Sequence, residues 1–284
     1  MKTKTIVSLS AVFAAALSAA QAQTITSWSF DAGGTIAAPY NTPAPSFGSG
    51  TATQLGMNNN YTFASGEGPG SLANCDVLAS AGASTGSGSF GWRVRGNGNS
   101  ANSGPGVANG WNSAAPIGTQ GAEFTANTVG YSSIILSVDI NATGQAERNL
   151  AIEYTLDDTV ANPVWLNATI TSAGSQGTIV TGSGVNTIAG NYVQLSAAGT
   201  GWNNQITASF ASVSSDPNFA VEVVNASTGA DTVNTSGAAL NNSSGNWRYD
   251  NVVISGTTAV PEPGTLAMGG LGGLMALMAF RRRK

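Results

Sequence analysis

Apolar and polar residues alternate in short runs along most of the chain, with the two-residue period of a β-strand. The clearest runs are SFGWRVR (89–95), SSIILSVDIN (132–141) and NLAIEYTL (149–156). Shorter runs of the same kind predict strands at 24–31, 122–125, 164–170, 191–195, 205–210, 219–224 and 247–255. No window of a dozen residues between 23 and 256 keeps a helical period. The pattern therefore predicts an all-β fold.

The segments between these runs are rich in Gly, Asn, Ser and Pro, most of all residues 32–70 and 96–110. Such residues favour turns and loops. Many short strands joined by turns are typical of a sandwich, so we predict a single jelly-roll-like β-sandwich over residues 23–256. The apolar run 132–141 is expected at its centre. A β-solenoid is the alternative, although the chain shows no fixed repeat period.

Charge and composition narrow the function. Residues 23–260 contain four arginines, thirteen acidic residues and no lysine, a formal charge of −9. A phosphate backbone would be repelled, so no nucleic-acid partner is expected. The chain has no histidine, which excludes Ser-His-Asp triads, Cys-His pairs and histidine metal ligands. Its single cysteine, Cys75, excludes an internal disulfide and is expected to be a buried, inert thiol.

The N-terminus has the three parts of a secretory signal peptide. Lys2 and Lys4 supply the positive charge, residues 6–17 are apolar, and Ala20-Gln21-Ala22 forms a small-x-small cleavage motif. We predict a signal peptide at 1–22 and a mature chain that begins at Gln23.

The C-terminus, residues 261–284, also has three parts, and residues 257–260 link it to the predicted sandwich. A stiff triplet comes first, an uncharged apolar run at 264–280 follows, and a basic cluster ends the chain. A helix of this length spans about 25 Å, the short end of what crosses a bilayer. The basic cluster should stay in the cytoplasm, which places the sandwich on the other side. The triplet is Pro261, Glu262 and Pro263, and the membrane-stop cluster is Arg281, Arg282, Arg283 and Lys284.

The string VPEPGT, a Gly/Leu/Met/Ala helix and RRRK together resemble the PEP-CTERM sorting domain of exosortase substrates. The resemblance implies that Pro261, Glu262 and Pro263 are the recognition triplet and that an exosortase cuts near them. It also implies a Gram-negative host that makes exopolysaccharide. The precursor would be anchored in the inner membrane, and the processed protein would reach the cell surface or extracellular matrix.

A second resemblance concerns the predicted sandwich. Residues 110–131, the string YTLDD, and NWRYDNVVISG (246–256) are similar to a family of bacterial extracellular jelly-roll proteins. The strings SFDAG and YDNVVIS also resemble carbohydrate-binding jelly rolls in which acidic residues of the first and last strands share a structural calcium. That resemblance implies Asp31 and Asp250 as the metal ligands. An ion pair between Asp250 and Arg248, which share a strand face, is the alternative.

Two tryptophans are candidate ligand-binding residues. Trp111 and Trp202 each stand in a Gly-Trp-Asn context inside a turn-rich stretch. A flat ring flanked by amides suits the C–H face and hydroxyls of a sugar. The alternative is that both rings pack back as lids on the ends of the sandwich. Trp28, Trp92 and Trp247 alternate within strands and are expected in the core.

Paired carboxylates are the one route to an enzyme that the composition leaves, as in glycoside hydrolysis. Glu153 is expected on a solvent-facing strand face, and Asp157 and Asp158 in a turn. Asp139 is expected at a sheet edge or paired with Arg148. We therefore predict no catalytic residue and an exported, non-enzymatic protein associated with exopolysaccharide. A carbohydrate-binding module and a carboxylate-based glycoside hydrolase or lyase are the alternatives, and a structural calcium is the one cofactor considered.

Overall fold

A computed structural model describes residues 21–30, 43–56, 75–77, 90–95, 111–196, 202–211, 213–240 and 245–258. Within these residues the strands are β1 (Ala22–Trp28), β2 (Ala52–Leu55), β3 (Cys75–Val77), β4 (Phe90–Arg95), β5 (Gly121–Ala126), β6 (Tyr131–Ala142), β7 (Asn149–Thr155), β8 (Leu166–Asn167), β9 (Thr169–Ala173), β10 (Thr178–Ser183), β11 (Ala189–Gln194), β12 (Asn203–Ser209), β13 (Phe219–Asn225) and β14 (Asn246–Thr258). Residues 1–20, Asp31 and the whole predicted tail 261–284 lie outside the described residues. No helix that could span a membrane occurs in the described part of the chain.

The strands form two antiparallel sheets, as the alternation of apolar residues predicts. Sheet A has the order β3-β4-β14-β6-β12-β9, and β1 shares with β4 the edge of β14 that β6 leaves open. Sheet B has the order β10-β11-β7-β13-β5-β2, with β8 paired to β7. The apolar run predicted at the centre is β6, which lies between β14 and β12. The fold is thus an all-β, sandwich-like body.

The two sheets pack face to face over a core of alternating strand residues. The Trp28 and Phe124 rings meet edge to face, with centroids 5.2 Å apart. Tyr249 of sheet A donates its hydroxyl to the Val223 carbonyl oxygen of sheet B at 3.2 Å, which ties the sheets together. Trp28, Trp92 and Trp247 are all buried, so their predicted place in the core is confirmed.

The single strand predicted at 164–170 is wrong. The chain divides there into β8, which pairs with β7 in sheet B, and β9, which pairs with β12 in sheet A. Alternation indicates extended chain but not the sheet that each part joins, and here Val164 and Leu166 are exposed whereas Ala168 and Ile170 are buried. The pattern therefore could not show where the chain changes sheets.

Two further differences concern one strand that the pattern missed and the end of the last strand. The pattern did not predict β10, because its alternate residues do not separate into an apolar and a polar face and most of them are exposed. The last strand also runs past the predicted boundary at 256, since Thr257 pairs with Ser132 of β6 and with Ala22 of β1. The first two residues of the predicted linker therefore belong to sheet A.

Candidate functional site

Two carboxylates face each other on the outer side of sheet A. Asp139 on β6 and Asp250 on β14 are direct cross-strand partners, and both are buried. Because Tyr249 faces the core, Asp250 faces the outer side. The expectation that Asp139 lies at a sheet edge is wrong, since β6 is an inner strand.

Irregular backbone next to these carboxylates turns amide groups toward them. The pairing of β14 with β6 shifts register after Asp250, and Asn251 has a positive φ of 46°. The Gln205 N–H donates to Asp139 Oδ1 at 2.6 Å, and the Asn251 side-chain amide donates to Asp139 Oδ2 at 3.0 Å. The Asn251 N–H donates to Asp250 Oδ1 at 2.8 Å. Asn251 therefore bridges the two carboxylates and offsets part of the cost of burying them.

Trp202 lies on the same side of sheet A. Because Trp92 faces the core, Gly91 faces outward, and a Cβ at Gly91 would lie 2.7 Å from Trp202 Cη2 and 3.2 Å from the Tyr249 carbonyl oxygen. The ring thus packs against the β4 backbone, beside the part of β14 that carries Asp250. Trp202 and Asp250, two candidate residues that are distant in the sequence, therefore lie in one region of the outer face of sheet A.

This close approach predicts the effect of a small substitution. Gly91→Ala should lower the free energy of unfolding by about 1–3 kcal/mol, because the added methyl group displaces the Trp202 ring. Gly144→Ala is the matched control, since a Cβ there meets no atom within 4 Å. Urea unfolding of both variants measures the difference, and equal stabilities would contradict the packing of Trp202 on Gly91.

Both candidate ligand-binding rings are buried. Trp111 is 1% exposed and Trp202 is 2% exposed. Trp111 belongs to the core between the sheets, where its ring centroid lies 4.4 Å from that of Trp247. A sugar could therefore contact either ring only after the surrounding chain moves. Ligand binding at these residues remains a prediction.

Three glutamates stand side by side on the outer face of sheet B. Glu222 on β13 lies directly opposite Glu123 on β5 and Glu153 on β7. Opposed side chains in a sheet have Cβ atoms about 4.5–5.5 Å apart, so the three carboxyl groups form one cluster, which we call the glutamate row. Glu222, in the middle, is 6% exposed, and the other two are half-buried. Glu153 does lie opposite the apolar face, but it is packed beside Glu222 rather than solvated.

The pKa values of the three carboxyl groups in the glutamate row are raised, which favours their protonated forms at neutral pH. Burial, together with the charges of Glu123, Glu153 and Asp158, raises the pKa of Glu222 to about 8. Burial, with a contribution from Asp158, raises the pKa of Glu123 to about 7. Burial also raises the pKa of Glu153. Mutual repulsion and loss of solvent act in the same direction, so the carboxyl groups resist ionisation.

The chain covers this row. A Cβ at Gly118 would lie 2.7 Å from Glu153 Oε2, so the segment before β5 passes over the end of the row. Beside it lies a small apolar cluster of Ala151, Ile188, Tyr192, Val224 and Ala226, against which Ile117 packs. A cleft of about 330 Å³ lies nearby; it is lined by Asp158, Thr159 and residues 49–50, 125–127 and 217–219, and by none of the three glutamates.

The other predicted acids have structural places. Asp157 accepts hydrogen bonds from the N–H and hydroxyl of Thr159 and from the Asn218 side chain, and these hold its pKa below the usual value. Arg148 donates its Nε–H to the Leu195 carbonyl oxygen at 3.4 Å. Among the described residues, no group of three or more His, Cys, Asp or Glu side chains is arranged to hold a metal ion. Asp31 is outside the described residues, so the calcium prediction is untested.

The described body is thus a two-sheet protein with two carboxylates on the outer face of sheet A and three glutamates on the outer face of sheet B. The C-terminal tail indicates where the protein is sent. Residues 259–284 match the PEP-CTERM protein-sorting motif. The chain is therefore an exported protein whose precursor is anchored at its C-terminus and processed by an exosortase-type system. No curated protein and no solved structure matches the chain.

Proposed function

We propose that the protein is a non-enzymatic component of the cell surface or extracellular matrix of a Gram-negative bacterium and that it associates with exopolysaccharide. The observation that carries the proposal is the sorting motif at residues 259–284, which supports export of the body. The jelly-roll assignment of the body and the membrane-spanning helix at 264–280 belong to the same proposal.

Support for the polysaccharide partner comes from exposed, uncharged polar groups on both sheets. Residues 159–215 contain no charged residue, and strands β9 to β11 expose hydroxyl and amide groups. The Thr171 and Thr207 hydroxyls lie 2.7 Å apart, and Thr181 donates to Asn191 Oδ1 at 2.9 Å. Such groups can exchange hydrogen bonds with sugar hydroxyls. The exposed members are Thr169, Thr171, Thr178, Thr181, Ser183 and Asn191.

Two observations favour a non-enzymatic role. The sequence offers no histidine for acid–base chemistry. The glutamates with raised pKa values do not line the described cleft, which includes Asp158 as its only acidic residue. A catalytic carboxyl group has to come within hydrogen-bonding reach of its substrate.

The proposal predicts where the protein is found in its host. In cells that make exopolysaccharide, the processed protein should remain in the matrix fraction; in a strain unable to make the polymer, most of it should appear in the medium. Immunoblots of the matrix, membrane and medium fractions measure this. The ratio of precursor to processed protein is the control, because it separates a failure of export from a failure of retention. Equal matrix retention in both strains would rule out the polysaccharide partner.

A carboxylate-based glycoside hydrolase or lyase is the second candidate, and the glutamate row favours it. A carboxyl group that is protonated near neutral pH can act as a general acid. Release of reducing sugar from the host polysaccharide, lost in Glu222→Gln, would establish this activity.

A glycan array tests the remaining candidate, a carbohydrate-binding module. A structural calcium held by Asp31 and Asp250 remains a proposal; Asp139 is the described carboxylate opposite Asp250.

A further inference from the structure

Strand β10 forms one border of sheet B. It pairs with β11 over its whole length, from Thr178 opposite Gln194 to Ser183 opposite Ala189, without a register shift. Most of its residues are exposed, and Ile179 is 39% exposed. An outermost strand presents one row of backbone N–H and C=O groups that no neighbouring strand satisfies.

The usual protections of such an edge are missing here. Natural edge strands are guarded by charged residues, prolines, bulges or shortness. The six residues of β10, TIVTGS, contain no charge and no proline, and most favour β-structure. The corresponding edge of sheet A is different, because β9 has a register shift in its pairing with β12. Of these two edges, β10 is the straight one.

Charge and apolar exposure indicate what the edge binds. Residues 159–215, which include β10 and its neighbour β11, are the longest charge-free stretch of a body whose formal charge is −9, so two copies that meet at β10 bring no charges of these strands together. Five of the nine exposed large apolar side chains in the described residues fall in the same stretch: Val160, Val164, Leu166, Ile179 and Val185. A neutral, partly apolar edge that is matched by an identical neutral edge favours a second copy of this chain.

We propose that β10 pairs with β10 of a second copy of this chain, antiparallel across a two-fold axis. The pairing joins the two B sheets into one continuous sheet. A contact between identical strands is self-complementary, so it closes as a dimer. The dimer brings the charge-free stretches of two copies together. It needs no polysaccharide, so it goes beyond the proposed function.

A cysteine scan of the full chain on intact cells tests the pairing. In a Cys75→Ser background, each position from 178 to 183 is changed in turn to cysteine. Residues opposed across antiparallel strands have Cα atoms about 4.5–5.5 Å apart, which is within disulfide range. One position, or two neighbouring positions, should therefore form a disulfide-linked dimer. Val129→Cys is the control, because this exposed residue lies in the turn between β5 and β6.

A charge test gives the same contact a second measurement. Ile179→Lys places two like charges near each other across the axis and should weaken dimerisation roughly tenfold or more. Val129→Lys is matched, since it also replaces an exposed branched apolar residue, 55% exposed, with one lysine. Sedimentation velocity of the full-length protein in a mild detergent measures association, and the melting midpoint checks the fold. If Ile179→Lys fails to fold, Thr181→Lys takes its place.

The pairing is overturned if wild-type protein stays monomeric at every concentration, or if no scanned position cross-links more than Val129→Cys. It is also overturned if Ile179→Lys and Val129→Lys weaken association equally. The scan is repeated in cells that lack exopolysaccharide. Cross-linking that persists there supports the strand contact even if the polysaccharide proposal fails, and cross-linking that disappears there overturns the strand contact.

Discussion

Replacement of Pro261, Glu262 and Pro263 by alanine is expected to leave an intact precursor in the membrane, with essentially no processed protein. These residues lie inside the matched sorting motif. Proline opposes helix at its own position and at the residue before it, so we expect the triplet to be extended. Alanine has the highest helix propensity, so the substitution should favour helix where the wild-type triplet opposes it. Pulse-labelling followed by immunoprecipitation measures the loss of processing.

The control for this experiment changes the same tail without touching the triplet. Leu266→Ala, Met268→Ala and Leu271→Ala together introduce three alanines and keep the segment uncharged. This variant should be inserted and processed. If the triplet variant is processed at the wild-type rate, these residues are not what the processing enzyme recognises.

The thermal midpoint of the protein is expected to fall, on the order of 5–10 °C, as the pH is raised from about 5 to about 9. Burial raises the pKa of Glu222 and of Glu147 to about 8 and that of Glu123 to about 7. A carboxyl group whose folded-state pKa lies above its unfolded value contributes stability below the unfolded pKa of about 4.5 and loses it as the pH rises through the folded pKa. The predicted window of loss is therefore pH 4.5 to 8.

Glu147 contributes to this trend from a different place. It is fully buried, and its Oε1 accepts hydrogen bonds from the Asn149 N–H and the Ser227 hydroxyl, both at 2.9 Å. Its Oε2 has no hydrogen-bond partner. Ionisation would leave a buried charge only partly compensated, so this group adds to the loss of stability at alkaline pH.

Two variants distinguish the effect of ionising the glutamate row from the effect of ionising other acidic residues. Glu222→Gln should leave the midpoint almost unchanged at pH 5 and raise it above wild type at pH 9, because the amide cannot ionise next to Glu123 and Glu153. Asp231→Asn, which removes an exposed acid, should give a curve parallel to wild type. A midpoint that rises between pH 5 and 9, or a Glu222→Gln curve parallel to wild type, would contradict the prediction.

Local information in the chain was enough for the C-terminal sorting motif, the strand class and much of the core. The tail is a contiguous motif, so its order of Pro-Glu-Pro, apolar run and basic cluster can be read directly, and the match at residues 259–284 confirms it. The strand β6 and the buried Trp28, Trp92 and Trp247 followed from a two-residue period, which depends on neighbours along the chain.

Contacts between distant residues were decided by the tertiary structure. Nothing in the local pattern relates Glu123, Glu153 and Glu222, because the pairing of β5, β13 and β7 alone makes them neighbours. The same is true of Asp139 opposite Asp250, which depends on the register of β6 against β14. Alternation shows which residues share a strand face, but register and sheet order determine which faces meet and which chain segments cover them.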